Sequence, residues 1–121
     1  MSGWRHLELA AGRWWQLSLA EQLGHVGSEV SRARRWRDSR PEQARLALER
    51  ALELLDLTLA DPRHRRRPGR LRELARAREV VADHFSERPA YAGDAASLQR
   101  YFDAFALAAR RRAPGGRDHE G

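Results

Sequence analysis

A chain of 121 residues without cysteine is one domain, long enough to bury a core unaided; it has no disulfide framework, thiolate metal site or thiol nucleophile. Twenty-three basic residues against 17 acidic ones leave a net charge of +6, which favours an acidic partner such as nucleic acid. The opening MSGWRHLELA has no long apolar run and no stretch approaches the ~18 apolar residues of a membrane span, so no membrane association and a cytoplasmic location are the expectation.

Lysine, asparagine and isoleucine are absent, and every basic residue is Arg. Joint loss of three AT-rich-codon residues points to a GC-rich genome; scarce Cys, Met and Asn also fits a heat-adapted source. Arginine therefore partly stands in for lysine, and the alternative to phosphate recognition is a solvated basic surface.

In chain order, residues 1–17 contain Trp4, Trp14 and Trp15, too apolar for a free tail. This aromatic segment is expected to add a short helix that packs on the body of the protein or on another subunit. Ser18 and Glu21 form a capping-box pattern that opens a first helix, expected to run to about Asp38. Its apolar stripe is Leu19, Leu23, Val26, Val30 and Ala33. A second stripe of small residues, Ala20, Gly24, Gly27 and Ser31, predicts close approach of another helix, from this chain or from a twofold-related copy. Ser39, Pro41 and Glu42 mark a second start, and Ala44, Ala47, Leu48, Ala51, Leu52, Leu55 and Leu59 make the apolar face of a helix ending near Ala60.

DPRHRRRPGR, residues 61–70, reads as a turn opened by Asp-Pro and closed by Pro-Gly. A third helix is expected over 70–86. Pro89 and Gly93 bracket a loop with Tyr91, and Asp94 caps a fourth helix to about Arg112 whose face holds Leu98, Tyr101, Phe102, Phe105 and Ala109. The tail 113–121 is expected to be disordered. With no strand pattern and no repeat, the fold class is all-α: an antiparallel four-helix up-down bundle over 18–112. Leu46 and Leu57 lie outside the main face of the second helix and flank Arg50; with the tryptophans they suggest a homodimer.

Five groups could carry chemistry. The run 63–72 is the strongest electrostatic feature, with Arg63, Arg65, Arg66, Arg67 and Arg70 as candidate nucleic-acid contacts. Arg32, Arg34, Arg35 and Arg37 close the first helix, where positive charge also complements the helix dipole. In an up-down bundle these clusters lie at opposite poles. His25 stands four residues from both Glu21 and Glu29, a spacing that can seat a metal, but Arg32 shares the sector; a solvated polar face is the reading, and no metal or cofactor is expected. Glu49, Glu53 and Asp56 form an acidic stripe that pairs with Arg45 and Arg50 or with arginines of another helix.

The fifth is Arg78, which falls among Leu71, Leu74, Ala75, Val81, Ala82 and Phe85 on the third helix. An arginine there is an internal ion pair with Glu53 or Asp56, a side chain reaching out from the core edge, or a site residue. Arg78 and His84, in AREVVADHF, resemble the R-x(4–6)-H motif of HEPN domains, small helical bundles often encoded beside minimal nucleotidyltransferases. Many of these are metal-independent ribonucleases; others are companion subunits of the nucleotidyltransferase. The resemblance implies RNA as substrate, Arg78 holding phosphate oxygens and His84 acting as base or acid. Glu79 stands where the family usually carries Asn, Asp or His. Against this reading stands a non-enzymatic interaction bundle, and a third possibility is passive RNA binding.

Overall fold

A computed structural model describes residues 11–85, 99–104 and 107, and all regular structure among them is helical. No helix among them is long and apolar enough to cross a membrane. The Pro89–Gly93 loop, the Asp94 cap, the end of the last helix and the tail lie outside the described residues.

Helix α1 (Leu19–Arg35) starts where the sequence signals it. Ser18 Oγ accepts from Glu21 N at 3.1 Å, and Glu21 Oε1 accepts from Ser18 N at 2.8 Å. These bonds satisfy two donors that have no partner within the helix. The helix stops at Arg35, not Asp38, and Arg40 N closes the following turn on Trp36 O at 2.8 Å. The apolar stripe has already ended at Ala33. Beyond it the chain is held by arginines over aromatic rings: Arg35 and Arg40 lie 5.8 Å from the Trp36 ring, and Arg37 lies 5.5 Å from Phe85.

Prolines set the next three starts. Pro41, Pro62 and Pro68 each occupy the first turn of a helix: α2 (Pro41–Leu59), α3 (Pro62–Arg65) and α4 (Pro68–His84). Proline suits that position because its fixed φ is helical and its missing N–H has no intrahelical acceptor there. The cap of α2 is therefore Arg40, without a side-chain hydrogen bond, and not Ser39. The expected turn over 61–70 holds a short helix and the first turn of α4, so α4 starts two residues earlier than Arg70.

Gln22 bonds to Asp61 and Glu29 pairs with Arg50, so α1 and α2 run antiparallel, and they share the most extensive packing. α2 also packs on α4. Leu23, Val26, Val30, Leu55, Leu74, Ala77 and Val81 are fully buried. Truncating one of the leucines to Ala costs about 2–5 kcal/mol.

The helical segment 99–104 meets the small-residue stripe of α1. A Cβ on Gly27 would lie 3.7 Å from Phe102 Cβ, and Gln99 Nε2 donates to Gly27 O at 3.4 Å. Phe102 is buried in the core, and Tyr101 donates to Glu73 of α4 at 2.7 Å. The partner of the stripe at Gly27 is thus the same chain; Gly24 has nothing within 4 Å of a built Cβ. Trp14 is buried and Trp15 half-buried, both against this fold, through bonds to Thr58 Oγ1 (2.9 Å) and Leu57 O (2.8 Å).

Candidate nucleic-acid interface

The pole formed by the start of α1, the end of α2, α3 and the start of α4 is built around a buried polar network. Gln22, Thr58, Asp61 and His64 are all essentially inaccessible to solvent. Gln22 Nε2 donates to Trp14 O at 3.0 Å and to Asp61 Oδ2 at 3.1 Å. Both amide hydrogens are committed to pure acceptors, so Oε1 is the atom facing His64 Nε2 at 2.8 Å. That carbonyl only accepts, so Nε2 carries the imidazole proton, and Nδ1 presents its lone pair to Arg70 Nη1 at 3.3 Å. One tautomer satisfies every contact.

Burial pushes the His64 pKa from 6.5 down to about 4; Asp61, 3.6 Å away, opposes this, while Arg70, Arg63 and Arg67 add to it. A neutral imidazole is the only form compatible with a guanidinium at Nδ1. For Asp61, burial favours the neutral acid, but bonds from the Arg63 side chain and backbone and from Gln22 outweigh it and hold the carboxyl below its usual range. The same carboxylate caps α3 through Arg63 N at 2.9 Å.

Asp61 thereby determines where Arg63 lies. Arg63 Nη2 donates to Asp61 Oδ2 and to Leu17 O, both at 2.6 Å, tying the basic segment to the N-terminal aromatic one. Arg65 reaches Leu59 O at 3.2 Å. Arg66 and Arg67 are exposed and enter no ion pair or side-chain hydrogen bond among the described residues. With Arg70 and Glu73 they border an open depression of about 610 Å³. Of the five arginines named from the sequence, Arg63 is neutralised by Asp61, Arg65 braces α2, and Arg66, Arg67 and Arg70 face one concavity.

Arg78 and His84 form a different arrangement. Arg78 lies at the rim of the apolar face with its side chain 37 % exposed, and it donates to Asp56 from Nε at 2.6 Å and from Nη2 at 3.3 Å. The bond to Asp56 raises its pKa further, against a smaller burial effect. Of the sequence alternatives, the pairing made is the one with Asp56. His84 is the last residue of α4, its ring edge-on to Phe85 at 5.1 Å. Six residues of regular helix separate it from Arg78 by about 9 Å along the axis and about 120° around it.

Glu21 is used in the α1 cap, and Glu29 pairs with Arg32 at 3.3 Å and Arg50 at 3.2 Å, so neither is committed to His25. The His25 ring instead lies 5.7 Å from that of Trp14. Among the described residues no group of three His, Cys, Asp or Glu gathers as metal ligands. Glu42 and Glu49 pair with Arg45. The Tyr101 hydroxyl has its pKa raised by burial and by its bond to Glu73.

The buried network was not readable in the sequence beforehand, because Gln22 and His64 are ordinary surface residue types and their partners lie about 40 positions away. The available signal was Asp-Pro followed by a histidine three residues after the aspartate. No protein-family model, curated protein or solved structure matches this chain.

Proposed function

We propose that this protein is an RNA-associated antiparallel four-helix bundle, HEPN-like in kind, that holds an RNA phosphate backbone at the pole formed by α3 and the start of α4. The observation that carries the reading is the buried His64–Gln22–Asp61 network beneath Arg66, Arg67 and Arg70. It gives a basic loop a defined shape and leaves exposed guanidinia around one concavity. Guanidinia carried on a loop of fixed shape hold phosphate oxygens bidentately with less ordering cost than those of a mobile basic tail.

The arginines at the end of α1 and in the turn that follows support this choice of pole by contrast, since Arg35, Arg37 and Arg40 lie over Trp36 and Phe85. A cleavage centre at Arg78 and His84 receives less support. Arg78 Nε and Nη2 both donate to Asp56, so a phosphate at the same edge of the guanidinium would compete with that carboxylate. The same ion pair favours a second reading, a non-enzymatic interaction bundle in which the basic pole meets an acidic protein surface, such as that of a companion nucleotidyltransferase.

Fluorescence anisotropy with a labelled single-stranded RNA, titrated across salt, tests the proposal. Affinity should fall linearly with salt on logarithmic axes, and Arg66→Ala with Arg67→Ala should reduce the slope by about 1–2. His84→Ala should leave binding unchanged and Arg78→Ala nearly so. A salt-insensitive or absent interaction removes the RNA reading. Cleavage of the RNA that requires His84 restores the ribonuclease.

A further inference from the structure

One side of α2, with Leu46, Arg50 and Glu53 exposed and Leu57 half-buried against the edge of the core, carries a pattern that reads the same in both directions. Leu46, Arg50, Glu53 and Leu57 follow one another at intervals of four, three and four residues. At about 100° per residue they fall within a band about 60° wide. A twofold axis crossing α2 between Ala51 and Leu52 exchanges position 46 with 57 and position 50 with 53. We propose that this face is the seam of a homodimer, with α2 packed antiparallel on α2 of a second copy. Leu46 then meets Leu57 of the partner subunit, and Arg50 meets Glu53 of the partner subunit, each contact occurring twice.

The surface fits this occupant. Leu46 is 40 % exposed, one of two large apolar side chains so exposed among the described residues. It borders a groove of about 390 Å³ together with Glu49, Arg50, Leu52, Glu53 and Asp56. Glu53 is exposed and enters no ion pair among the described residues. Arg50 is held by Glu29 at 3.2 Å, so its guanidinium is already restrained. The remaining acids are answered within the chain, Glu42 and Glu49 by Arg45 and Asp56 by Arg78, so two such faces are not driven apart. Trp15, bonded to Leu57 O, stands at the end where Leu46 of the partner subunit arrives.

Other occupants fit less well. A nucleic acid would meet the carboxylates. A basic peptide would suit Glu53 but face Arg50. A parallel pair of α2 helices would set Arg50 against Arg50 of the partner subunit. Only the antiparallel copy satisfies both charges and both leucines. The seam spans about 17 Å of helix, at the small end of specific interfaces, so micromolar affinity is expected. Leu46, Arg50 and Glu53 are not among the residues of the basic concavity, so either reading can fail alone.

Sedimentation equilibrium of the full chain from about 5 to about 500 µM brackets that affinity. Wild type should pass from monomer to dimer. Arg50→Glu and Glu53→Arg should each raise Kd at least tenfold by setting like charges opposite. The two together should return Kd to within about threefold of wild type, since the swap restores both trans pairs. Leu46→Ser, at an exposed position, should weaken the dimer without changing charge. Arg50→Glu places a carboxylate beside Glu29, so circular dichroism accompanies every variant; if that one unfolds, Glu53→Arg and Leu46→Ser decide. A monomer at every concentration overturns the proposal, as does a dimer indifferent to Glu53→Arg and Leu46→Ser. Failure of a folded double swap to recover also overturns it.

Discussion

His64 makes stability depend on pH in a window that can be calculated. Its pKa falls from 6.5 in the unfolded chain to about 4 in the folded one, because burial and three nearby guanidinia disfavour the imidazolium. As pH drops, the unfolded chain therefore takes up the proton first. The contribution of neutral His64 is fully present above pH 6.5, declines through the interval down to about 4 and is lost below it. At about 1.4 kcal/mol per pKa unit the whole interval is worth about 3 kcal/mol, and pH 4.5 already removes most of it. Asp61 works in the same direction but at lower pH, since its pKa lies below 3.8 when folded. A comparison stopped at pH 4.5 therefore reads mainly the imidazole. Urea unfolding at pH 7.5 and 4.5, for wild type and for His64→Gln, isolates it. Glutamine keeps an amide able to serve Gln22 and Arg70 but does not titrate, and ionisable groups not coupled to His64 cancel in the difference. Wild type should lose about 2–3 kcal/mol more than the variant between the two pH values, roughly 1–2 M in urea midpoint. Parallel pH profiles would mean that His64 is accessible to protons at its ordinary pKa, and the closed network would be wrong.

The two glycines of α1 differ in what surrounds them. Gly24→Ala meets nothing within 4 Å and should stabilise the helix by about 1 kcal/mol in thermal melts. Gly27→Ala meets Phe102 at ordinary contact distance and should also be tolerated, whereas Gly27→Leu should destabilise by about 1–3 kcal/mol through displacement of Phe102. For the Arg78–Asp56 pair, exposure of 37 % and 55 % leaves a double-mutant-cycle coupling of at most about 1 kcal/mol, falling with salt. A coupling of several kcal/mol would mean a pair far less hydrated than its exposure indicates. Trp14→Phe removes the donor to Thr58 Oγ1 in a buried site and should cost about 1–3 kcal/mol by chemical denaturation. A change within error would show that water replaces the indole.

Local chemistry was legible in the amino-acid order alone. Ser18 and Glu21 sit within one turn of each other, so the cap that starts α1 needs nothing from the rest of the chain. The stripe Leu23, Val26 and Val30 specifies its buried face for the same reason. Proline was the local signal most easily misassigned: Pro62 and Pro68 read as turn punctuation, yet each begins a helix. A residue with fixed φ and no N–H is equally at home in a turn and in a first helical turn, and the residues downstream of it decide between the two.

Tertiary structure decided the rest. Arg78 had acids available on two neighbouring turns of α2, and the orientation of α4 against α2 selected Asp56 over Glu53. Gln22 lies on a helix whose other polar residues are at least partly exposed, and it became a buried hub because α2 and α3 bring Asp61 and His64 over it. Burial is a property of what covers a side chain, and here the covering groups are about 40 residues distant. The sequence by itself therefore determined that the chain is helical, where α1 begins and that it is basic. Folding determined which of its arginines are spent on aspartates and aromatic rings and which still face solvent.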